Sequence, residues 1–181
     1  TTEIATAFKE YIDPSIPDLY PEDLREDIDA LNDVIYTDFN LAVNLAAMVT
    51  NQKDYEFYFD RIFRRLDWLE ERLSKQRYLM GDTITAPDTR LYVTLCRFDF
   101  VFYQKYLVNK KRLVDYPNLW NYAKDLYSNP AFGGTTDFDS MRKRFYYVDH
   151  TPFEDLPRLI PKGPDDSIWL EPNNRAEKFG K

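Results

Sequence analysis

The sequence predicts an all-α bundle ending in an extended, proline-rich C-terminal arm, and three observations carry that prediction. Glycine is scarce, with five in 181 residues against an average usage of about 7%, which suits helices joined by few tight turns. Apolar residues recur at steps of three and four over two long stretches, the spacing of one helical face. After Gly81 the stretch "TITAPD" restarts the chain with a Thr-x-x-Asp pattern, a helix-start signal. The length suits one domain with a proper core, or a domain plus a tail.

Residues 1–20 read as the remnant of an interdomain helix and linker. "TEIATAFKEYI" looks like the last turns of a helix, and "DPSIPDLYPEDL" is a connector with three prolines and four acids. The chain opens without an initiator Met, so a further element is expected to precede it. Residues 21–147 form the helical domain. Pro21 suits a first helical turn, and Leu24, Ile28, Leu31, Ile35, Ala42, Ala46 and Val49 share one face. Tyr55, Phe59, Ile62, Leu66, Leu69 and Leu73 make a second stripe, with charges opposite. These predict two long antiparallel helices.

Thr85 and Asp88 predict a capping box for a third helix, about Ala86 to Leu107, apolar nearly all round and therefore central. Ile84 precedes it as a partial hydrophobic staple. Arg97 and Asp99 lie inside this stretch and are expected to pair with each other or to reach a solvated edge. Shorter helices follow at Leu119, Tyr122, Ala123 and Leu126, and from an Asp137 cap through Phe138, Met141 and Phe145. Residues 148–181 form the arm, with Phe153, Leu159, Ile160 and Trp169 as expected anchors.

Composition excludes several kinds of chemistry. The five glycines cannot assemble a G-x-G-x-x-G or Walker-type phosphate loop. One histidine, His150, and one cysteine, Cys96, leave no metal cluster and no Cys-His or Ser-His catalytic set. Catalytic residues and metal ligands are accordingly expected to be none. A disulfide within the chain is impossible, and with no apolar signal segment this predicts a cytoplasmic protein. No run approaches a membrane span of about 18 apolar residues. The net charge of −7 disfavours nucleic acid. Arg142, Lys143 and Arg144 form one basic cluster, read as a solvated helix end or an anion contact.

The order of proline-rich connector, two long helices, "RYLMGD", capping box, central helix and "DYPNLWNYAKDLY" resembles the all-helical C-terminal domain of glutathione S-transferases. "DLYPEDLREDIDALNDVIY", "RFDFVFYQKYLVN", "DYPNL" and "IPKGP" narrow the resemblance to the Xi class, the glutathionyl-hydroquinone reductases, over nearly the whole chain from about Ile4. The resemblance implies that glutathione, as co-substrate, and a catalytic cysteine in a Cys-Pro-Trp-Ala type motif belong to a thioredoxin-like half. The helical chain would then bind no cofactor itself, be inactive alone, and supply the wall of a pocket for a small electrophilic or quinone-like substrate, together with homodimer contacts. Cys96, mid-helix among apolar neighbours, reads as a buried structural thiol.

In that class the pocket wall includes a tyrosine closing an Asn-Asn-Gly-Val-Tyr run and another in a His-Tyr-Tyr run, each able to hydrogen-bond and protonate a hydroquinone oxygen. Here the first run reads Asn40, Leu41, Ala42, Val43, Asn44, and the second Arg144, Phe145, Tyr146. Asn40, Asn44, Phe145 and Tyr146 are therefore the candidate pocket residues, with Asn44 and Phe145 in the two tyrosine positions. Tyr146 or Tyr147 could substitute if the last helix shifts by a residue. Two other readings stay open: a non-catalytic binding or assembly module built on the same fold, and a ligand carrier, which the 17% aromatic content would suit.

Overall fold

The computed structural model describes Ala7, Tyr11, residues 16–148 and residues 159–180. Among them there is no β-strand, and an isolated bridge joins Tyr78 to Gly81. Gly81 closes that turn with φ +116°, a conformation open to glycine and strained for other residues.

The first predicted helix is built in two pieces, α1 (Arg25–Ile35) and α2 (Ala42–Met48), joined by a wide π-turn over Tyr36–Asn40. Pro21 stands just before a 3-10 turn, Glu22–Leu24, that leads into α1. In the π-turn the Leu41 N–H donates to the Tyr36 carbonyl at 2.8 Å, spanning five residues instead of four. The extra residue rephases the helix, so Phe39, Ala42, Val43 and Ala46 continue the buried face begun by Ile28, Leu31 and Ile35. The long helix α3 (Gln52–Lys75) starts at Asn51, whose side chain accepts the Asp54 N–H at 2.9 Å. Its stripe of Ile62, Phe63, Leu66, Leu69 and Leu73 is buried. Each such side chain contributes about 1.5–3 kcal/mol by leaving water.

Helix α4 (Ala86–Leu95) opens with the expected capping box. The Asp88 carboxylate accepts from the Thr85 N–H at 2.8 Å, the Thr85 hydroxyl at 3.0 Å, the Leu79 N–H at 2.9 Å and the Tyr122 hydroxyl at 2.7 Å. One buried carboxylate thus ties the turn before α4 to α5. Helix α4 packs against α1, the first π-turn and α5, which is the central position expected. It is shorter than expected, because α-helical bonding ends at Leu95 and a second π-turn, Phe98–Phe102, follows. Phe98, Phe100, Val101 and Phe102 are all buried there, and their packing overrides the local helical pattern.

Helix α5 (Pro117–Ser128) buries Leu119, Tyr122, Ala123 and Leu126. Its N-terminus is capped by α3, since Glu70 accepts the Asn118 N–H at 2.9 Å and the Leu119 N–H at 2.8 Å. A four-residue turn, α6 (Pro130–Gly133), leads to α7 (Phe138–Lys143), where Asp137 caps the Ser140 N–H at 2.9 Å. A third π-turn, Arg144–Val148, closes the helical part.

The arm is anchored differently from the sequence expectation. Trp169 is buried as expected, with ring centroids 4.8 Å from Trp120 and 5.3 Å from Phe138. Leu159 and Ile160 are exposed, at 77% and 39%, and Phe153 lies outside the described residues. The second anchor is a charge: Arg175, at the start of α8 (Arg175–Phe179), is fully buried. Its guanidinium donates to the Leu73 carbonyl at 2.6 Å and to those of Gln76 and Arg77. The Leu73 carbonyl lies in the last turn of α3 and the other two just beyond it, where a cation satisfies acceptors the helix itself leaves unpaired. No described helix is long and apolar enough to cross a membrane.

Candidate functional site

A cavity of about 840 Å³ lies where the end of α2, the start of α3 and the segment after the second π-turn meet. Asn44, Asn51, Tyr55, Lys105, Tyr106 and Leu107 contribute to its lining. The first π-turn sets the Asn40 and Asn44 side chains. Asn40 donates to the Arg90 carbonyl at 2.9 Å and to the Thr94 hydroxyl, so it ties the helix pair α1–α2 to α4. Asn44, one turn later, donates its amide to the Asn40 carbonyl at 2.8 Å. One of its two amide hydrogens is therefore engaged with the backbone, which leaves the second N–H and Oδ1 as the groups suited to a substrate oxygen or hydroxyl.

Leu107 holds the far rim in the left-handed region, φ +60°, a conformation costly for a bulky residue. Its carbonyl accepts the Tyr55 hydroxyl at 2.7 Å, which fixes the rim against α3. Lys105 reaches toward the third π-turn, donating to the Phe145 carbonyl and lying 5.6 Å from the Tyr146 ring centroid. The Phe145 ring packs 6.3 Å from Tyr106 and 6.4 Å from Phe102. Asn44 and Phe145, far apart in sequence, thus meet in one region through Tyr106 and Lys105. Asn40 stands behind the wall and does not line the cavity.

Tyr146 donates its hydroxyl to the Phe100 carbonyl at 2.5 Å, and burial raises its pKa above the usual tyrosine value. Its phenol is bonded into the fold. The Tyr147 side chain lies outside the described residues. Lys105 is the functional candidate missed by sequence reasoning; the signal available was a single cation inside the aromatic run "FVFYQKYL".

Arg97 and Asp99 do not form the expected pair. Two residues apart along a helical path, they point to different sides. Arg97 donates to the Val93 carbonyl and to the Cys96 sulfur at 3.5 Å. The Asp99 carboxylate accepts the Leu113 and Val114 N–H groups at 2.5 and 3.4 Å. Burial pushes its pKa up, against the pull of those two donors. A buried ion pair forms elsewhere, where Arg77 grips Asp125 through two bonds of 3.0 Å. The basic cluster is likewise engaged. Arg142 is buried on Asp166 of the arm, and Lys143 pairs with Asp139 at 2.5 Å.

Cys96 is 2% exposed, and burial pushes its thiol up to about 11. It borders a second cavity, about 390 Å³, with Ile16, Leu19, Tyr92, Val93 and Phe132 among its neighbours there. A protonated, hidden thiol is a poor nucleophile. No group of three or more His, Cys, Asp or Glu among the described residues could hold a metal ion, and His150 lies outside them.

Residues 52–125, from the first turn of α3 to near the end of α5, match the family model of the glutathione S-transferase C-terminal domain. Those residues are a glutathione S-transferase C-terminal domain. The similar proteins are glutathionyl-hydroquinone reductases and Xi-class transferases. The chain is 36% identical over 163 residues to the glutathionyl-hydroquinone reductase YqjG of Escherichia coli, covering 90% of this chain and 49% of that protein. It is 36% identical over 147 residues to the reductase PcpF of Sphingobium chlorophenolicum, covering 81% and 46%. A glutathione transferase structure from Gordonia bronchialis superposes with a TM-score of 0.92 at 41% identity, covering 99% of this chain and 56% of that one. The Xi transferase of Phanerochaete chrysosporium gives 0.83 at 35%, covering 91% and 53%. The chain thus spans about half the length of the curated relatives it matches.

Proposed function

We propose that this chain is the helical half of a cytoplasmic Xi-like glutathione transferase, one that carries out thiol transfer or glutathionyl-hydroquinone reduction as a homodimer. The observation that carries the reading is the similarity to two glutathionyl-hydroquinone reductases along more than four-fifths of this chain. It is supported by a large cavity walled by Asn44, Tyr55 and Tyr106. In this reading the helical half forms the acceptor pocket and dimer contacts and is inactive alone. A cysteine thiolate in a thioredoxin-like half attacks the sulfur of the glutathionyl thioether. The hydroquinone leaves with a proton, and a second glutathione resolves the mixed disulfide. Glutathione is the co-substrate, and no described residue is assigned to holding it.

The test is turnover of a glutathionyl-menadiol with glutathione, measured on this chain and on the product of its complete coding region. Turnover by the complete product and none by the chain is expected; no turnover by either overturns the reading. A second reading, a non-catalytic assembly module, is favoured by one observation: at both tyrosine positions of the class the phenol is missing, with Asn44 and Phe145 standing there instead. It takes over if the complete product is inert and binds no glutathione.

A further inference from the structure

The second cavity, about 390 Å³, falls within the roughly 300–1,000 Å³ of small-molecule pockets. Its walls are mainly aliphatic, with Ile16, Leu19, Ile84 and Val93 among them. The two rings that border it, Tyr92 and Phe132, already meet edge to face with centroids 5.1 Å apart, and the Tyr92 hydroxyl is bonded to that of Thr136 at 2.8 Å. The rings satisfy each other, which leaves a space shaped by branched alkyl groups. Ile16 and Val93 are 57% and 48% exposed, so the cavity opens to solvent between the connector and α4.

One charge stands in this apolar lining, the guanidinium of Arg97, one turn on from Val93. Its bonds to the Val93 carbonyl and, at 3.5 Å, to the Cys96 sulfur both use Nη1. Among the described residues no carboxylate forms an ion pair with it. Its charge is felt at the cavity wall: burial pushes the Cys96 thiol up, and Arg97 pulls against that push. A cation tethered through one nitrogen beside an aliphatic cavity complements a ligand with an alkyl body and an anionic head.

We propose that this cavity binds medium-chain aliphatic carboxylates, the chain lying among Leu19, Ile84 and Val93 and the head on the nitrogens of Arg97 that Val93 and Cys96 leave open. The site shares no lining residue with the cavity at Asn44, and binding here is independent of the transferase reading.

The experiment titrates octanoate and its uncharged isostere octanamide into the chain by calorimetry, with the parent and three variants. Arg97 is half-buried, which sets its charge-assisted bond between the exposed and the buried cases, so the parent should bind the carboxylate about fivefold or more tightly than the amide. Arg97→Met should bring the ratio to within about twofold, with amide affinity unchanged. Arg97→Gln, which keeps an amide donor for the Val93 carbonyl, should behave alike and serves if the Met variant melts early. Val93→Trp, filling the opening from an exposed position, should weaken both probes about fivefold or more. Equal affinities in the parent, no binding of either probe, a preference that survives both Arg97 substitutions, or affinities indifferent to Val93→Trp overturns the proposal.

Discussion

The thiol of Cys96 borders a cavity but is buried, and that burial outweighs the lowering pull of Arg97, holding it about two orders of magnitude away from the thiolate population of an exposed cysteine. Iodoacetamide at pH 8 should therefore label the folded chain about a hundredfold more slowly than the unfolded chain. Equal rates, followed by mass spectrometry, would refute the burial argument. Sequence alone made this residue legible, because a cysteine ringed by Leu95, Phe98 and Val93 has little access to solvent. Arg97 was not legible in the same way. A charge among apolar residues announces that a partner exists, but backbone carbonyls and a sulfur are partners that no residue pattern encodes. Lys105 escaped notice for a related reason, since its importance comes from where the third π-turn places the Phe145 carbonyl.

At the scale of elements, the first π-turn is locked to α3 by charge. Asp38 accepts from Arg61 at 2.6 Å and from Arg65 at 3.1 Å. Partial burial pulls its pKa upward, but the two guanidinium bonds outweigh it and hold it below the usual carboxylate value. A lowered folded pKa stabilises the fold above the unfolded value of about 3.9, and that stability is lost as pH falls through the folded pKa. Comparing Asp38→Asn with the parent by thermal melts, the parent should be the more stable near neutral pH. The difference should shrink toward zero as the pH drops below about 4. A difference that grows on acidification would contradict the sign. The stripes of α3 and α5 and the caps at Thr85 and Asp137 were legible because they depend on spacing within a single element. The π-turns were not, because a five-residue hydrogen-bond step leaves no period in the sequence and is chosen by the packing of residues such as Phe39 and Phe98.

At the scale of the whole molecule, the arm and bundle are joined at Trp169 and Arg175. Replacing Arg175 with Met should leave the last α3 carbonyls unpaired and cost about 3 kcal/mol, which lowers the melting temperature by about 6–12 °C. Limited proteolysis should then release the arm while residues 21–147 persist as a helical body; an unchanged melt would show that the clasp is dispensable. Apolar anchors were the natural expectation for an arm, and Trp169 met it. A fully buried arginine runs against the usual burial of residue types, and only the three-dimensional approach of the α3 carbonyls makes sense of it. The bond from Arg175 to Leu73 joins residues separated by 102 positions. A ribosome adding about 5–20 residues per second would deliver that arginine some seconds after α3 has left the exit tunnel, so the end of this helix is left to water during that interval and is sealed only when a far later part of the chain arrives.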